Sequence, residues 1–573
     1  MKKKLLFISL SLFSLISCAG GVKNTVKLDT ATVRIFKAND ETSPKSRYIS
    51  PKNVSLKYSY DTLSGTLSNN ESVFPSTGTN NLLVIPVHIP GSEEYKTDKV
   101  LEDIKTMMFG ENDPKNGFMS VKEYYKEASF NKLNIEGLVT DWFDASEAGI
   151  KGPNDITQGT NGTIVQILNK AVEWAKAKYN LNFKEYDNNF DGHGDGSIDG
   201  VWLIYDHLDW STEALLSAKN GISNQLNTSF WNFTGWDYST APNLHAPTTS
   251  GFSWASFDMM YTSYCSYESI IPDGYTESVE YPVWDETTLL DSHTFIHETG
   301  HLLGLNDYYA TDSQTYRPSG KLTMMDQNVY DLDSYSKMLL GWVTPFVVYG
   351  SSEIILPPAN KGDHNVIVIP SNYQEISTSV ESYSKYNKEE PFKYEFNPFS
   401  EYLLIDLYTS DGLNYKDTYG DKIYFRQDLD VMTRSGVRIY HCDGRIFKCR
   451  VYYGDSGTKL VYDKDNPEWD GSYLESNEAV LMPISNSRQD SSTYQLDPSY
   501  DVFDELRLIE SSGYNSFSSD GCANDSTLFT PNSKVFSIED FGFQFFNSKY
   551  SFNDGNSLPF KIKIKSISEV EYE

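Results

Sequence analysis

Apolar residues change their spacing several times along this chain, and each change marks a boundary. A short apolar run at 5–16 follows Lys2, Lys3 and Lys4 and is too short to span a bilayer as a permanent helix. Residues 18–79 are rich in Ser, Thr, Asn and Lys with few large apolar side chains, which reads as a flexible spacer or a short pro-segment. From residue 80 to residue 205 strands alternate with helices, among them a helix over about 165–179 and a strand over 200–205. An insertion rich in aromatic residues, Gly and Ser then runs over 208–286, either shaping a cleft or elaborating the surface. A helix follows, with Asp291 or Ser292 to cap it, Phe295, Ile296, Leu302 and Leu303 to bury, and Gly304 to end it. Past Pro345 the period shortens to two, with strands at 352–356, 365–369, 402–407, 437–441 and 560–567. This pattern predicts a leader over 1–17, the spacer, an α/β domain over 80–345, a β-rich domain over 346–465 and a β-sandwich-like module over 466–573.

The helix before Gly304 carries the chemistry. His297 and His301 stand at i and i+4, on one face of the helix, and Glu298 follows the first of them. Two imidazoles so placed, with a carboxylate beside them, form the HExxH arrangement: the histidines bind zinc and the Glu takes a proton from the attacking water. With nine histidines in 573 residues, HExxH arises by chance in on the order of one such chain in a hundred, so the extension matters. Gly304 in a left-handed conformation would turn the chain back and let Asp307 supply a third zinc ligand, with Asp312 and Asp326 as competitors.

With its Gly and Asp the stretch reads HExxHxxGxxD, and here the sequence resembles the immune inhibitor A family of secreted bacterial zinc metallopeptidases. Leu-Leu-Val-Ile-Pro-Val at 82–87 resembles that family's first strand, and residues 120–130 its helix ahead of the strand at 133–142. Leu322-Thr323-Met324-Met325-Asp326 resembles a methionine turn beneath the metal, with Met325 preferred as its floor, and 336–342 resembles the segment closing the catalytic domain. Weaker likeness continues through 400–406 and 436–443. The resemblance implies a metzincin-like α/β zinc peptidase domain followed by all-β modules of sandwich or jelly-roll type, with extracellular proteins as substrates. A residue to stabilise the oxyanion is also expected, with Tyr308, Tyr309, Tyr316 and Tyr330 as candidates.

A second polar stretch runs from Asp187 to Asp199, where alternating oxygen side chains and glycines resemble a calcium-binding loop. Ile198 stands where an EF-hand places a bidentate Glu, so the loop departs from that pattern. Asp187, Asn189, Asp191 and Asp199 are the expected ligands of a structural calcium ion, with Asp195 as alternate.

Charge and cysteines refine the picture. A formal net charge of −31 argues against nucleic acid as a partner. Leu15-Ile16-Ser17-Cys18 resembles a bacterial lipobox, which predicts lipidation of Cys18 and a tether to the membrane of the bacterial cell envelope. Of the remaining cysteines, Cys442 and Cys449 flank a turn and suggest a hairpin disulfide, while Cys265 and Cys522 either pair or stay free. The reading at this stage is a monomeric, envelope-tethered zinc endopeptidase with calcium as a structural ion. Its competitors are an inactive envelope binding protein or adhesin working through its β modules, and a hydrolase of cell-wall peptides.

Overall fold

The computed structural model describes residues 26–37, 46–48, 74–371 and 401–572, apart from breaks at 160–161, 189–193, 220–226, 238, 272–277, 311–315, 420–431, 445, 455–456, 463–478, 484, 487–503, 520, 547–549 and 554. Cys18 and the apolar run before it lie outside the described residues. The chain divides into two compact units: Ser68–Leu305 with Gly420–Asp428, and Met1–Leu67 with Asn306–Tyr419 and Leu429–Glu573.

The first unit is built on a mixed sheet. Its strands are β1 (Gly78–His88), β2 (Leu133–Val139), β3 (Phe143–Asp144), β4 (Val201–Tyr205), β5 (Phe233–Trp236) and β6 (Gly251–Ser256), ordered β2-β1-β4-β6-β5 with β3 also pairing with β1. All pairings are parallel except that of β5, which runs antiparallel to β6 at the sheet edge. Residues 82–85 of β1 are completely buried on both faces, as a central parallel strand covered on both sides requires.

Strand alternation then sorts the helices. Leu83, Ile85 and Val87 of β1 and Val201, Leu203 and Tyr205 of β4 share a core with Ile164, Ile167, Leu168, Ala171 and Val172 of α3 (Thr163–Tyr179). Trp202, between two of those β4 positions, points the other way: its ring packs on Phe295 of α4 (His293–Leu302) with centroids 5.2 Å apart. Its indole N–H donates to Thr299 Oγ1 at 3.1 Å. The helices α1 (Asp98–Phe109) and α2 (Val121–Ala128) precede β2, and α2 begins with a capping box in which Ser120 and Glu123 each bond the other's backbone N–H. Tyr125 of α2 donates from its hydroxyl to the carbonyl of Ile296 at 2.6 Å, so α4 is gripped from the sheet and from α2.

The stretch 208–286 does more than elaborate a surface, because β5 and β6 within it complete the sheet. Residues 251–256 are all buried, and Trp254 stacks on Tyr205 with centroids 4.4 Å apart. In a region of so many Gly, Ser and aromatic residues, two short strands leave little periodic signal.

In the second unit a six-stranded sheet runs in the order Ser46–Tyr48, Phe346–Val348, Val366–Pro370, Glu401–Tyr408, Gly436–Asp443, Leu506–Ile509. A three-stranded sheet places Val26–Lys37 between Ser352–Leu356 and Phe560–Tyr572. One hydrophobic cluster joins both sheets through Val33, Ile35, Leu356, Ile405, Ile439 and Ile564, with Phe541 and Phe545 of the helix Ile538–Phe545.

Three expectations are corrected here. Residues 26–37, expected within a flexible spacer, form a strand of twelve residues antiparallel to both partners. Leu28, Thr30, Ala31, Val33 and Ile35 are buried along it, and a register shift between Thr32 and Val33 breaks the alternation and hides it from a pattern search. The stretches 346–465 and 466–573 are not separate modules: Leu506–Ile509 pairs with Gly436–Asp443, and Phe560–Tyr572 reaches back to Val26–Lys37. The division between units also falls at Leu305/Asn306 rather than near Pro345. Among the described residues no helix is long and apolar enough to cross a membrane.

Candidate metal centre

The end of α4 shows how local sequence makes a site. Gly304 adopts φ 90°, a left-handed conformation that costs other residues strain, and its N–H donates to the carbonyl of His301 at 2.8 Å. Leu305 N–H then donates to the carbonyl of Gly300 at 3.0 Å, which completes a Schellman motif. This turn aims the Leu305 carbonyl at His301 Nδ1, 2.7 Å away. A carbonyl only accepts, so Nδ1 carries the proton and the lone pair of the neutral ring sits on Nε2.

That Nε2 lies 3.1 Å from Nε2 of His297. Two nitrogens bound tetrahedrally to one zinc at ordinary Zn–N lengths stand roughly 3.3 Å apart, so the pair is spaced as co-ligands. The ligand atoms of His297, His301 and Asp307 all lie within 4.8 Å of one another. His297 is buried, and the other two are partly exposed. Two imidazoles and a carboxylate are a donor set that suits zinc, and the fixed tautomer of His301 supports it.

Glu298 is 7% exposed, and its Oε2 accepts a hydrogen bond from Thr234 Oγ1 of β5 at 2.9 Å. Burial, with the Glu298 charge adding to it, pushes the Tyr125 hydroxyl well above its ordinary range, which keeps that phenol neutral as a donor to Ile296. At the other end of α4, Asp291 caps the N–H of His293 at 3.1 Å and holds its ring, while the Ser292 hydroxyl turns away to the carbonyl of Met119. Burial alone would raise the Asp291 carboxyl, but His293, the Ser263 hydroxyl and the backbone together hold it below its ordinary value. His293 also stacks on Phe118, centroids 3.9 Å apart.

The other expected residues fare differently. Asp326 is buried and accepts from Ser319 and from Lys321 N–H at 3.0 Å, so it anchors a turn; Asp312 lies outside the described residues. Met325 and Met324 are both fully buried, and the carbonyl of Met325 accepts from Tyr308 N–H at 2.8 Å. The Tyr308 hydroxyl bonds Ser336 at 3.0 Å, and that of Tyr316 donates to Asp504 and accepts from Arg507. Tyr309 lies under the Arg317 guanidinium, and Tyr330, buried with φ 64°, donates its N–H to Asp417 at 2.5 Å.

In the 187–199 stretch, Asn189 and Asp191 lie outside the described residues. Asp187 is buried and accepts from the N–H groups of Asp195 at 2.8 Å and Gly196 at 3.1 Å. Desolvation raises its carboxyl despite those bonds. Asp195 accepts from Ser197 N–H at 2.8 Å, and Asp199 from Asn188 N–H at 2.7 Å. The disulfide expected between Cys442 and Cys449 is a further correction. Cys442 is a free thiol buried on a strand paired with Glu401–Tyr408 and Leu506–Ile509, whereas Cys449 belongs to Ile446–Gly454, a strand of another sheet. Cys265 is also a free thiol.

Thr234, Tyr125 and the Leu305 carbonyl were not foreseen. Only a helix-ending Gly three residues after the second histidine hinted at the last of them. Residues 80–244 match the family model described as Immune inhibitor A peptidase M6, catalytic domain. The match covers β1 to β5 and ends before α4, so the helix that carries the candidate metal ligands lies outside it. No curated protein matches the chain.

Proposed function

From the match of residues 80–244 to the catalytic-domain model of the immune inhibitor A M6 peptidases, we propose that this chain is a zinc-dependent metalloendopeptidase with a metzincin-like catalytic unit, acting on extracellular proteins. His297, His301 and Asp307 hold the zinc and Glu298 is the general base. The observation that carries this reading is the 3.1 Å separation of the two imidazole Nε2 atoms, with the Asp307 carboxylate in the same cluster. Zinc, when bound, polarises the scissile carbonyl and acidifies water toward neutral pH.

The chain's own residues do the rest. Glu298 takes a proton from the attacking water and returns it to the departing amine, a role suited to a carboxylate next to the first ligand. The Leu305 carbonyl keeps His301 in the binding tautomer. The edge strand β5 places Thr234 against Glu298. The stretch 187–199 enters as scaffold, with calcium as an added structural ion. A tether through Cys18 and a place in the bacterial envelope belong to the same proposal, on the strength of the three lysines, the apolar run and the lipobox-like Leu15 to Cys18.

The test is casein cleavage by the purified chain, wild type against Glu298→Ala, with zinc measured in both by elemental analysis. Cleavage by the wild type alone, with zinc in both, is expected. Wild-type protein that holds no zinc and cleaves nothing would remove the catalytic reading.

A further inference from the structure

We infer that Thr234 is a positioning residue for the general base, whose hydroxyl holds one carboxylate oxygen of Glu298 so that the other faces the reacting water. The inference rests on Glu298 acting as proposed above. Thr234 sits on the edge strand β5, directly opposite Ser253 of β6 in the antiparallel register. Its Oγ1 is 2.9 Å from Glu298 Oε2, 2.9 Å from the Glu298 carbonyl oxygen and 2.8 Å from Ser253 Oγ.

Counting protons fixes the order of this chain of groups. The Glu298 carbonyl and the ionised carboxylate only accept, so whatever reaches them comes from Thr234, which has a single hydroxyl proton. Ser253 is fully buried and its hydroxyl carries the other proton. If Thr234 gave its proton to Ser253, lone pairs would oppose one another at 2.9 Å on the Glu298 side. The satisfied arrangement has Ser253 donating to Thr234 and Thr234 donating to Glu298, shared between its carbonyl and Oε2.

Two features make this more than an anchor for the helix. A bond to the Glu298 carbonyl alone would fix the backbone and leave the carboxylate to rotate about a broad terminal torsion. The same hydroxyl, reaching Oε2 as well, locks the carboxylate to that backbone. Thr is also β-branched, with a stiff χ1 on a strand, so the hydroxyl is presented from a side chain that does not wander. A base whose orientation is set before substrate arrives avoids that ordering cost at the moment of reaction.

The experiment is steady-state peptide hydrolysis by the full chain as wild type, Thr234→Val, Thr234→Ser, Ser253→Ala and Glu298→Ala, with zinc content and Tm for each. Thr234→Val keeps the shape and removes the donor. It is expected to lower kcat by roughly tenfold or more with KM within about twofold and zinc content unchanged. Thr234→Ser restores most of the rate because the donor returns, and Ser253→Ala gives a smaller fall in kcat. A Thr234→Val protein with wild-type kcat, or a Thr234→Ser protein as slow as the Val variant, would overturn the inference and leave an anchoring role. Should the Val variant fail to fold, Thr234→Ala takes its place, and a wild-type kcat in that variant overturns the inference. A wild type no faster than Glu298→Ala would overturn the assignment of Glu298 instead, a result distinguishable from the others.

Discussion

The first unit contains two polar stretches that both look like metal sites in sequence, and their donors are used in opposite ways. At α4 the side-chain donors converge on one another: two Nε2 atoms stand 3.1 Å apart, and the backbone helps by taking the proton of the far ring nitrogen at Leu305. In 187–199 the carboxylates reach toward backbone, with Asp187 alone receiving two N–H groups. Ligand-rich composition is shared by both. What separates them is where the backbone N–H groups are satisfied: a helix meets its own needs and frees its side chains, whereas a glycine-rich turn draws its acids into service as caps.

The most severe way to break this contrast is at Glu298. Its replacement by Ala is expected to lower kcat by roughly 100- to 10,000-fold while zinc stays bound, as general-base catalysis lost from an intact site requires. Loss of zinc in that variant would mean that the convergence depends on Glu298, and the separation of binding from catalysis would fail.

Next in size is Asp187→Asn. The amide keeps one acceptor oxygen and leaves the other backbone N–H without its partner, so stability should fall by about 1–3 kcal/mol with zinc content unchanged, read as Tm and elemental analysis. A loss that varies with added Ca2+ in the wild type and vanishes in the variant would show that the acids hold a cation as well as the backbone.

Gly304→Ala sharpens the helix side. The φ of 90° strains an alanine by about 1–2 kcal/mol, and relief of that strain moves the Leu305 carbonyl off His301. Weaker zinc retention against a chelator is expected with little change in kcat at saturating zinc; unchanged retention would detach the turn from the site.

A last test, of pH dependence, concerns Asp258, in the same unit but in neither stretch. Burial pushes its carboxyl up to about 6, with the neighbouring Asp209 adding to the shift. A raised acid is stabilising while protonated, so its contribution is fully present below about pH 4, fades as pH rises toward 6 and is gone above. Asp258→Asn should therefore flatten the loss of stability between pH 4 and 7, by no more than about 3 kcal/mol, read as a shallower fall in Tm. Equal slopes in the two proteins would place the pH dependence elsewhere.

The legible parts of this molecule are those specified by neighbours in sequence. His297, Glu298, His301 and the stop at Gly304 lie within eight residues, and the helix geometry follows from their spacing. Leu83, Ile85 and Val87 announce a buried strand in the same local way. Thr234 was invisible because its partner is 64 residues away and its strand is four residues long. The strand at 26–37 was missed because a bulge interrupts its alternation, and the Cys442 pairing was misjudged because closeness in sequence across a turn says nothing of which sheet each strand joins.

That N-terminal strand also sets an order of events. Val26 pairs with Tyr572 and Ile35 with Ser352, so this segment has partners that are made more than 300 and more than 500 residues after it. Val33 and Ile35 wait for one neighbour until Ser352–Leu356 is made and for the other until Phe560–Tyr572 is, a long interval in which an unpaired apolar strand is exposed to the wrong companions. The three-stranded sheet of the second unit thus closes only once Phe560–Tyr572 has been made, and a nascent chain that stalls before residue 560 leaves it with an open edge.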